Sequence, residues 1–171
     1  MKLLSNKISL LILNFIFIGF NIYFFTQFKE LNNLAQQEVE ILDLRFGYSL
    51  DEVNRFFSII GNEGRAKYAE ISKTDMLYPI SYGLLIISLL TFLTNGNTKL
   101  YFLNIFPVAA VVIDFFENVS IVKLMENFPN ISEEMVSYTS NLTQIKWLFI
   151  VFSILLVLIL FYKKIKKAQK N

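Results

Sequence analysis

Four long apolar stretches restrict the folds that this sequence can adopt. They occupy residues 8–25, 77–94, 101–120 and 147–162. An α-helix needs about 20 mostly apolar residues to cross a hydrocarbon layer about 30 Å thick. In that layer a helix satisfies all of its own backbone hydrogen bonds. The pattern therefore predicts an all-α protein, a four-transmembrane-helix bundle that forms a single membrane domain over residues 1–171.

The distribution of lysines predicts the orientation of this bundle. Lysines precede helix 1, lie in the turn between helices 2 and 3, and fill the basic tail at 163–171. Four crossings place these three regions on one side, and short positively charged loops favour the cytoplasm. We therefore expect both termini in the cytoplasm of a protein of the plasma or inner membrane. Residues 27–76 and an outer loop at 126–144 would then lie outside.

The segment between helices 1 and 2 is too patterned for a plain loop. Ser49 followed by two acidic residues is a helix N-cap signal. Apolar residues then recur at helical spacing through residues 53–60. Gly61 and Gly64 predict a turn before a second helical piece. Residues 27–76 are thus predicted to be an extramembrane amphipathic helical segment.

Polar residues inside or beside the second and third apolar stretches form the strongest candidate site. Each stretch contributes three residues at spacings of three and four, which place them on one helix face. An ionisable side chain in the hydrocarbon is costly and normally has a partner or faces a cavity. An antiparallel pair of helices would bring the two faces to one height. The residues are Asp75, Tyr78 and Tyr82 in one helix, and Asp114, Glu117 and Asn118 in the other.

Two residues of the outer segment complete the candidate ligand-binding set. Arg65, or alternatively Lys67 or Lys73, is expected above the mouth of the pocket, where its charge would offset the carboxylates. Tyr68 lies one helical turn further along the same segment. Together with the six residues of the membrane helices, they would surround a pocket in the outer half of the bundle.

Several functions fit such a pocket. In the favoured interpretation the protein is a ligand-binding or accessory membrane protein that holds a cationic or amphiphilic small ligand. Alternatively, two carboxylates act as general acid and base on a lipid or isoprenoid, or an oligomer moves protons or cations. The same groups would also serve simply to join helices 2 and 3 through hydrogen bonds. The sequence leaves open whether the protein is an enzyme.

Composition narrows the chemistry and the partners. The chain has no cysteine and no histidine, which excludes disulfides, thiolate chemistry and the common zinc sites. No cofactor is predicted, and a hard divalent cation held by oxygen ligands stays an open alternative. A net charge of +2 is too small to indicate nucleic acid. The expected partners are the lipid bilayer, a small ligand, and a membrane-protein partner or a second copy of this chain.

The order of short motifs from residue 47 to residue 118 resembles a known pattern. It runs from a Gly-Tyr-Ser triplet to a Gly-x-x-Gly-Arg-x-x-Tyr motif, then Asp-x-x-x-Pro-x-x-Tyr, and ends with Asp-x-x-Glu-Asn. This order is similar to that of a family of small, uncharacterised four-helix membrane proteins of prokaryotes. The resemblance implies the four-helix fold and brings no activity with it.

Overall fold

A computed structural model describes residues 6–169, and within that range the chain is helical with no strand. The all-α prediction is therefore confirmed. Two short 3-10 segments, Leu42–Leu44 and Thr98–Asn104, precede α2 and α4 respectively. The α-helices are α1 (Lys7–Ala35), α2 (Leu50–Asp75), α3 (Tyr78–Leu93), α4 (Ile105–Asn127) and α5 (Glu133–Ala168).

Four helical segments are long and apolar enough to cross a membrane. They comprise α1, the continuous pair α2 and α3, the Thr98–Asn127 segment that contains α4, and α5. Between Ile8 and Phe25, α1 exposes most of its large apolar side chains, and α5 does the same from Leu148 to Tyr162. Exposed apolar surface of this extent is typical of a surface that faces lipid or a partner.

The larger hydrophobic core lies beyond these apolar bands. It joins the second half of α1, both parts of α2, the end of α4 and the start of α5, as shown by contacts among Leu31, Phe57, Tyr68, Leu124 and Val136. The predicted cap at Ser49 is present, and Ser49 and Glu52 exchange hydrogen bonds in a capping box. This core fixes α2 over the ends of the other helices.

The bend predicted near Gly61 is also present. Gly61 has φ +64° and ψ −170°, a conformation that interrupts the helix and that glycine adopts without steric cost. Apolar residues on both sides of the bend, among them Ile60 and Tyr68, remain buried. The bend thus lets α2 wrap around the core.

The structure differs from the predicted outer loop at 126–144. Residues 128–132 connect α4 to α5, and the remainder of that range is helical. Ser132 caps α5 by accepting a hydrogen bond from the Met135 backbone amide at 3.2 Å. Val136, Thr139 and Thr143 are buried at helical spacing on the face that meets α4. Hydropathy did not indicate this buried face, because it assigns small polar residues such as threonine to solvent.

Candidate functional site

A cavity of about 500 Å³ lies between α1, α3 and α5. Helix α1 packs on α2 and α3, whereas α5 packs on α4 and α3, so α1 and α5 leave space between them. The lining changes in character along the helices. One end carries all of the ionisable lining residues, set among apolar side chains such as Phe24, Ile41 and Leu44. They are Asp43, Asp75, Asp114, Lys146, Tyr78 and Tyr82. The other end is apolar and is lined by Leu85, Ile86, Leu89, Ile150 and Ile154.

The structure brings the two predicted polar faces together at Asp114. The Tyr82 hydroxyl donates to Asp114 Oδ2 at 2.9 Å, and the Asn118 amide donates to Asp114 Oδ1 at 3.2 Å. Asn118 also reaches the backbone oxygen of Asp75 at 3.5 Å. Asp114 is therefore held by α3 and α4 together, and its two oxygens have partners.

Asp75 has a different environment from Asp114, although both line the cavity. It is the last residue of α2, and no described residue donates a hydrogen bond to its carboxylate. Tyr78, one turn further along the chain, stacks on Phe17 and donates to Asn21 Oδ1 at 3.4 Å. The aromatic wall formed by Tyr78 and Phe17 thus borders a carboxylate with unused acceptor capacity.

Glu117 is sealed away from the cavity. Its side chain is fully buried and forms an ion pair with Lys146. Thr143 donates to Glu117 Oε1 at 2.5 Å, and the Thr143 and Tyr48 hydroxyl oxygens lie 3.3 Å apart. Burial raises the pKa of the Tyr48 hydroxyl well above its usual range, so this hydroxyl stays neutral. Glu117 therefore joins α4 to α5.

Asp43 closes the polar end of the cavity from the connection between α1 and α2. Tyr68 donates to Asp43 Oδ2 at 2.5 Å. The backbone oxygen of Asp43 accepts from Lys146 at 3.2 Å and from Trp147 at 3.3 Å. Asp43 is 7% exposed, and its Oδ1 has no hydrogen-bond partner among the described residues. This oxygen is an acceptor left over beside the cavity.

The position expected for Arg65 is wrong. Its guanidinium donates to the backbone oxygen of Phe57 at 2.8 Å and to the Asn62 side chain. It also lies 4.5 Å from the centroid of the Phe128 ring, a cation–π contact. Arg65 thus ties the bend of α2 to the turn after α4 instead of lying above the cavity. Tyr68 acts on the site indirectly, by fixing Asp43.

Sequence reasoning missed Lys146, Thr143 and Asp43. Thr139, Thr143 and Lys146 repeat at spacings of four and three, so they share one face of α5. The predicted loop at 126–144 obscured that repeat, and Lys146 directly precedes the apolar stretch at 147–162, where a lysine is typical of a membrane flank. Asp43 had no periodic signal, because the segment that carries it is a single turn of 3-10 helix.

The acidic side chains of the described residues are not clustered closely enough to form a metal site. Among residues 6–169, no three acidic side chains lie close enough together to hold one metal ion. The positive charge beside Glu117 comes from Lys146 instead. A lysine of α5 therefore neutralises one of the buried carboxylates, that of Glu117.

Comparisons with protein-family models, curated proteins and solved structures found no match to this chain. One end offers carboxylates, hydroxyls and one ammonium group beside aromatic side chains, and the other offers only aliphatic side chains. Small-molecule sites are commonly concave and mostly apolar, with a few polar groups that fix orientation.

Proposed function

We propose that this protein is an integral membrane protein that binds an amphiphilic small molecule. The head group lies at the end of the cavity lined by Asp43, Asp75 and Asp114, and the apolar body lies between α3 and α5. The change in lining along a cavity of about 500 Å³ is the observation that carries this proposal. A site with two such different ends matches an amphiphile better than a uniformly polar solute.

The lysines of α5 support a location of the polar end at the outer boundary of the bilayer. Lys146 and Lys164 lie about 27 Å apart along a helix with a rise of about 1.5 Å per residue. A hydrocarbon core is about 30 Å thick. Trp147 and Tyr162 lie just inside these lysines, as interfacial aromatic residues do. At the inner end, Lys164 donates to the Phe92 backbone oxygen at 3.2 Å.

The arrangement of the helices supports entry of the ligand from the bilayer. The cavity occupies the space that α1 and α5 leave between them. Both helices expose apolar side chains along the same span, which would be in contact with lipid. An amphiphile diffusing in the outer leaflet would therefore reach the cavity without leaving the membrane.

Two alternative functions use the same carboxylates differently. Acid and base catalysis on a lipid is our second candidate, because Asp75 and Asp114 border one cavity while one carries hydrogen bonds and the other does not. Transport of protons or cations has less support. From the cavity to the inner turn, residues 78–98 and 147–162 contain no ionisable carboxylate, lysine or arginine to continue a path.

Filling the apolar end of the cavity should expel the bound amphiphile. Leu85 lines the cavity, whereas Leu84 points away from it and is 37% exposed. We expect native mass spectrometry of the purified wild type to show a retained amphiphile, which Leu85→Trp loses and the matched control Leu84→Trp keeps. Equal retention by both variants would place any bound lipid outside the cavity. A retained species altered from the host's own lipids would favour the catalytic candidate.

The orientation can be tested with single cysteines, because the chain has none of its own. Asn130 is exposed in the connection between α4 and α5, and Thr98 is exposed at the opposite end of the bundle. We expect a membrane-impermeant maleimide to label Asn130→Cys in intact cells. Thr98→Cys should react after lysis. The reverse pattern would place both termini outside.

A further inference from the structure

We infer that the head group bound at the acidic end of the cavity is a protonated amine. This inference rests on the proposed function and specifies the class of ligand: an amphiphile with a primary or secondary ammonium group and an apolar body. It follows from which donors, acceptors and charges around the cavity are already used, and which are left over.

The positive charge that lines the cavity is already engaged. Lys146 forms an ion pair with the fully buried Glu117 and also donates to the Asp43 backbone oxygen. Arg45 is the arginine nearest to Asp43 in the sequence, and its guanidinium donates to the Glu40 backbone oxygen at 2.6 Å. An anionic head group such as a phosphate or a carboxylate would therefore find no unpaired cation among the lining residues.

The unused capacity consists of acceptors. Asp43 Oδ1 is buried and has no partner among the described residues, and the Asp75 carboxylate receives no hydrogen bond from them. Asp43, Asp75 and Asp114 all line the cavity. These three carboxyl groups share the lining with a single ammonium group, that of Lys146, which Glu117 already pairs. The site as built lacks hydrogen-bond donors and positive charge.

An ammonium group supplies both of these. It carries up to three N–H donors and no acceptor, and charge-assisted hydrogen bonds to carboxylates are about twice as strong as neutral ones. The faces of Tyr78 and Trp147, which also line the cavity, can add cation–π attraction. A buried carboxylate left without such a partner is costly. The acidic end is thus complementary to an amine and repels an anion.

Trp147 provides a direct test, because it is the one tryptophan in the sequence and lines the cavity. The full chain in nanodiscs of zwitterionic lipid is titrated with a bromoalkyl primary ammonium and with the bromoalkyl sulfate of equal chain length. Bromine quenches tryptophan fluorescence on contact. We expect the ammonium probe to quench at a concentration about tenfold lower than the sulfate, which corresponds to about 1.4 kcal/mol.

Two variants and two controls locate the effect. Asp43→Asn and Asp75→Asn should each raise the half-quenching concentration of the ammonium probe by about tenfold or more, because each removes a charged acceptor. Asp51→Asn, an exposed position in the first turn of α2, should leave it unchanged. The double variant Trp147→Phe with Leu148→Trp moves the fluorophore to an exposed neighbouring position and measures quenching by probe dissolved in the bilayer.

The outcomes separate the head-group inference from the proposed function. Preference for ammonium that depends on Asp43 or Asp75 supports both. Saturable quenching of Trp147 by the sulfate at equal or lower concentration, or ammonium binding that neither asparagine variant weakens, overturns the inference and leaves amphiphile binding in place. Quenching no stronger than in the double-variant control, with both probes, overturns the proposed function as well.

Discussion

Replacement of Lys146 by methionine is expected to lower the free energy of unfolding by about 3 to 5 kcal/mol, the usual cost of breaking a buried ion pair from one side. Methionine has a similar length but leaves Glu117 fully buried without its counter-charge. The Asp43 backbone oxygen loses a donor in the same change. Unfolding in detergent micelles followed by circular dichroism measures the effect.

A lysine with exposed partners and a second substitution make this experiment decisive. Lys67 pairs with Glu30 at 2.7 Å and with Glu70 at 3.5 Å, and both glutamates are largely exposed. The Lys67 side chain is 13% exposed, but water still reaches its glutamate partners, whereas Glu117 is fully buried. An ion pair with a solvated partner contributes little, so Lys67→Met should change stability less than Lys146→Met. Adding Glu117→Gln to Lys146→Met removes the stranded charge and should recover a large part of the loss. Equal losses for the two lysine variants would contradict a buried ion pair.

The sequence predicted the part of the site that α3 and α4 contribute, because its residues recur at helical spacing. Asp114 and Asn118 stand out because they interrupt apolar sequence, and spacings of three and four place them on one face. Equal steps along two antiparallel helices predicted that Tyr78 lies level with Asp114 and that Asp75 lies level with Asn118. The hydrogen bonds from Tyr82 to Asp114 and from Asn118 to Asp75 confirm that the two faces meet.

The other half depends on contacts between residues far apart in the chain. Lys146 reaches Asp43 across a separation of 103 residues and Glu117 from a neighbouring helix. No local spacing links these positions, and a lysine beside a long apolar run is typical of a membrane flank. Its burial depends on how α5 packs against α4 and on the connection that carries Asp43. Pairings of this kind follow from the tertiary fold and have no local sequence signal.

Arg65 illustrates the opposite error. Charge balance predicted that a basic residue of the outer segment would lie above the carboxylates, and Arg65 was one of the candidates. The bend at Gly61 instead turns its guanidinium to the Phe57 backbone oxygen and the Phe128 ring. The backbone conformation of Gly61 thus directs Arg65 away from the carboxylates. Lys146 of α5 is the cation that pairs with one of them.

Replacement of Gly83 by alanine is expected to lower the free energy of unfolding by about 1 to 3 kcal/mol, the usual cost of overpacking. A Cβ atom added there would lie 2.4 Å from Val111 Cγ2, closer than two carbon atoms can pack. Small residues allow membrane helices to approach closely, and this contact joins α3 to α4 beside Tyr82 and Asp114. The added methyl group should therefore also weaken the hydrogen bond between those two side chains. Thermal unfolding in micelles measures the loss.

Gly19 is the matched control, because it is also a helical glycine but no atom lies within 4 Å of a Cβ built there. Alanine has a helix propensity about 1 kcal/mol better than glycine, so Gly19→Ala should leave stability unchanged or raise it. Of the two glycine variants, only Gly83→Ala is thus expected to lower stability. Combining Gly83→Ala with Val111→Ala removes the clash and should restore part of the loss. If Gly83→Ala behaved like Gly19→Ala, helix propensity would outweigh the contact between α3 and α4, and the close approach would not hold the two polar faces together.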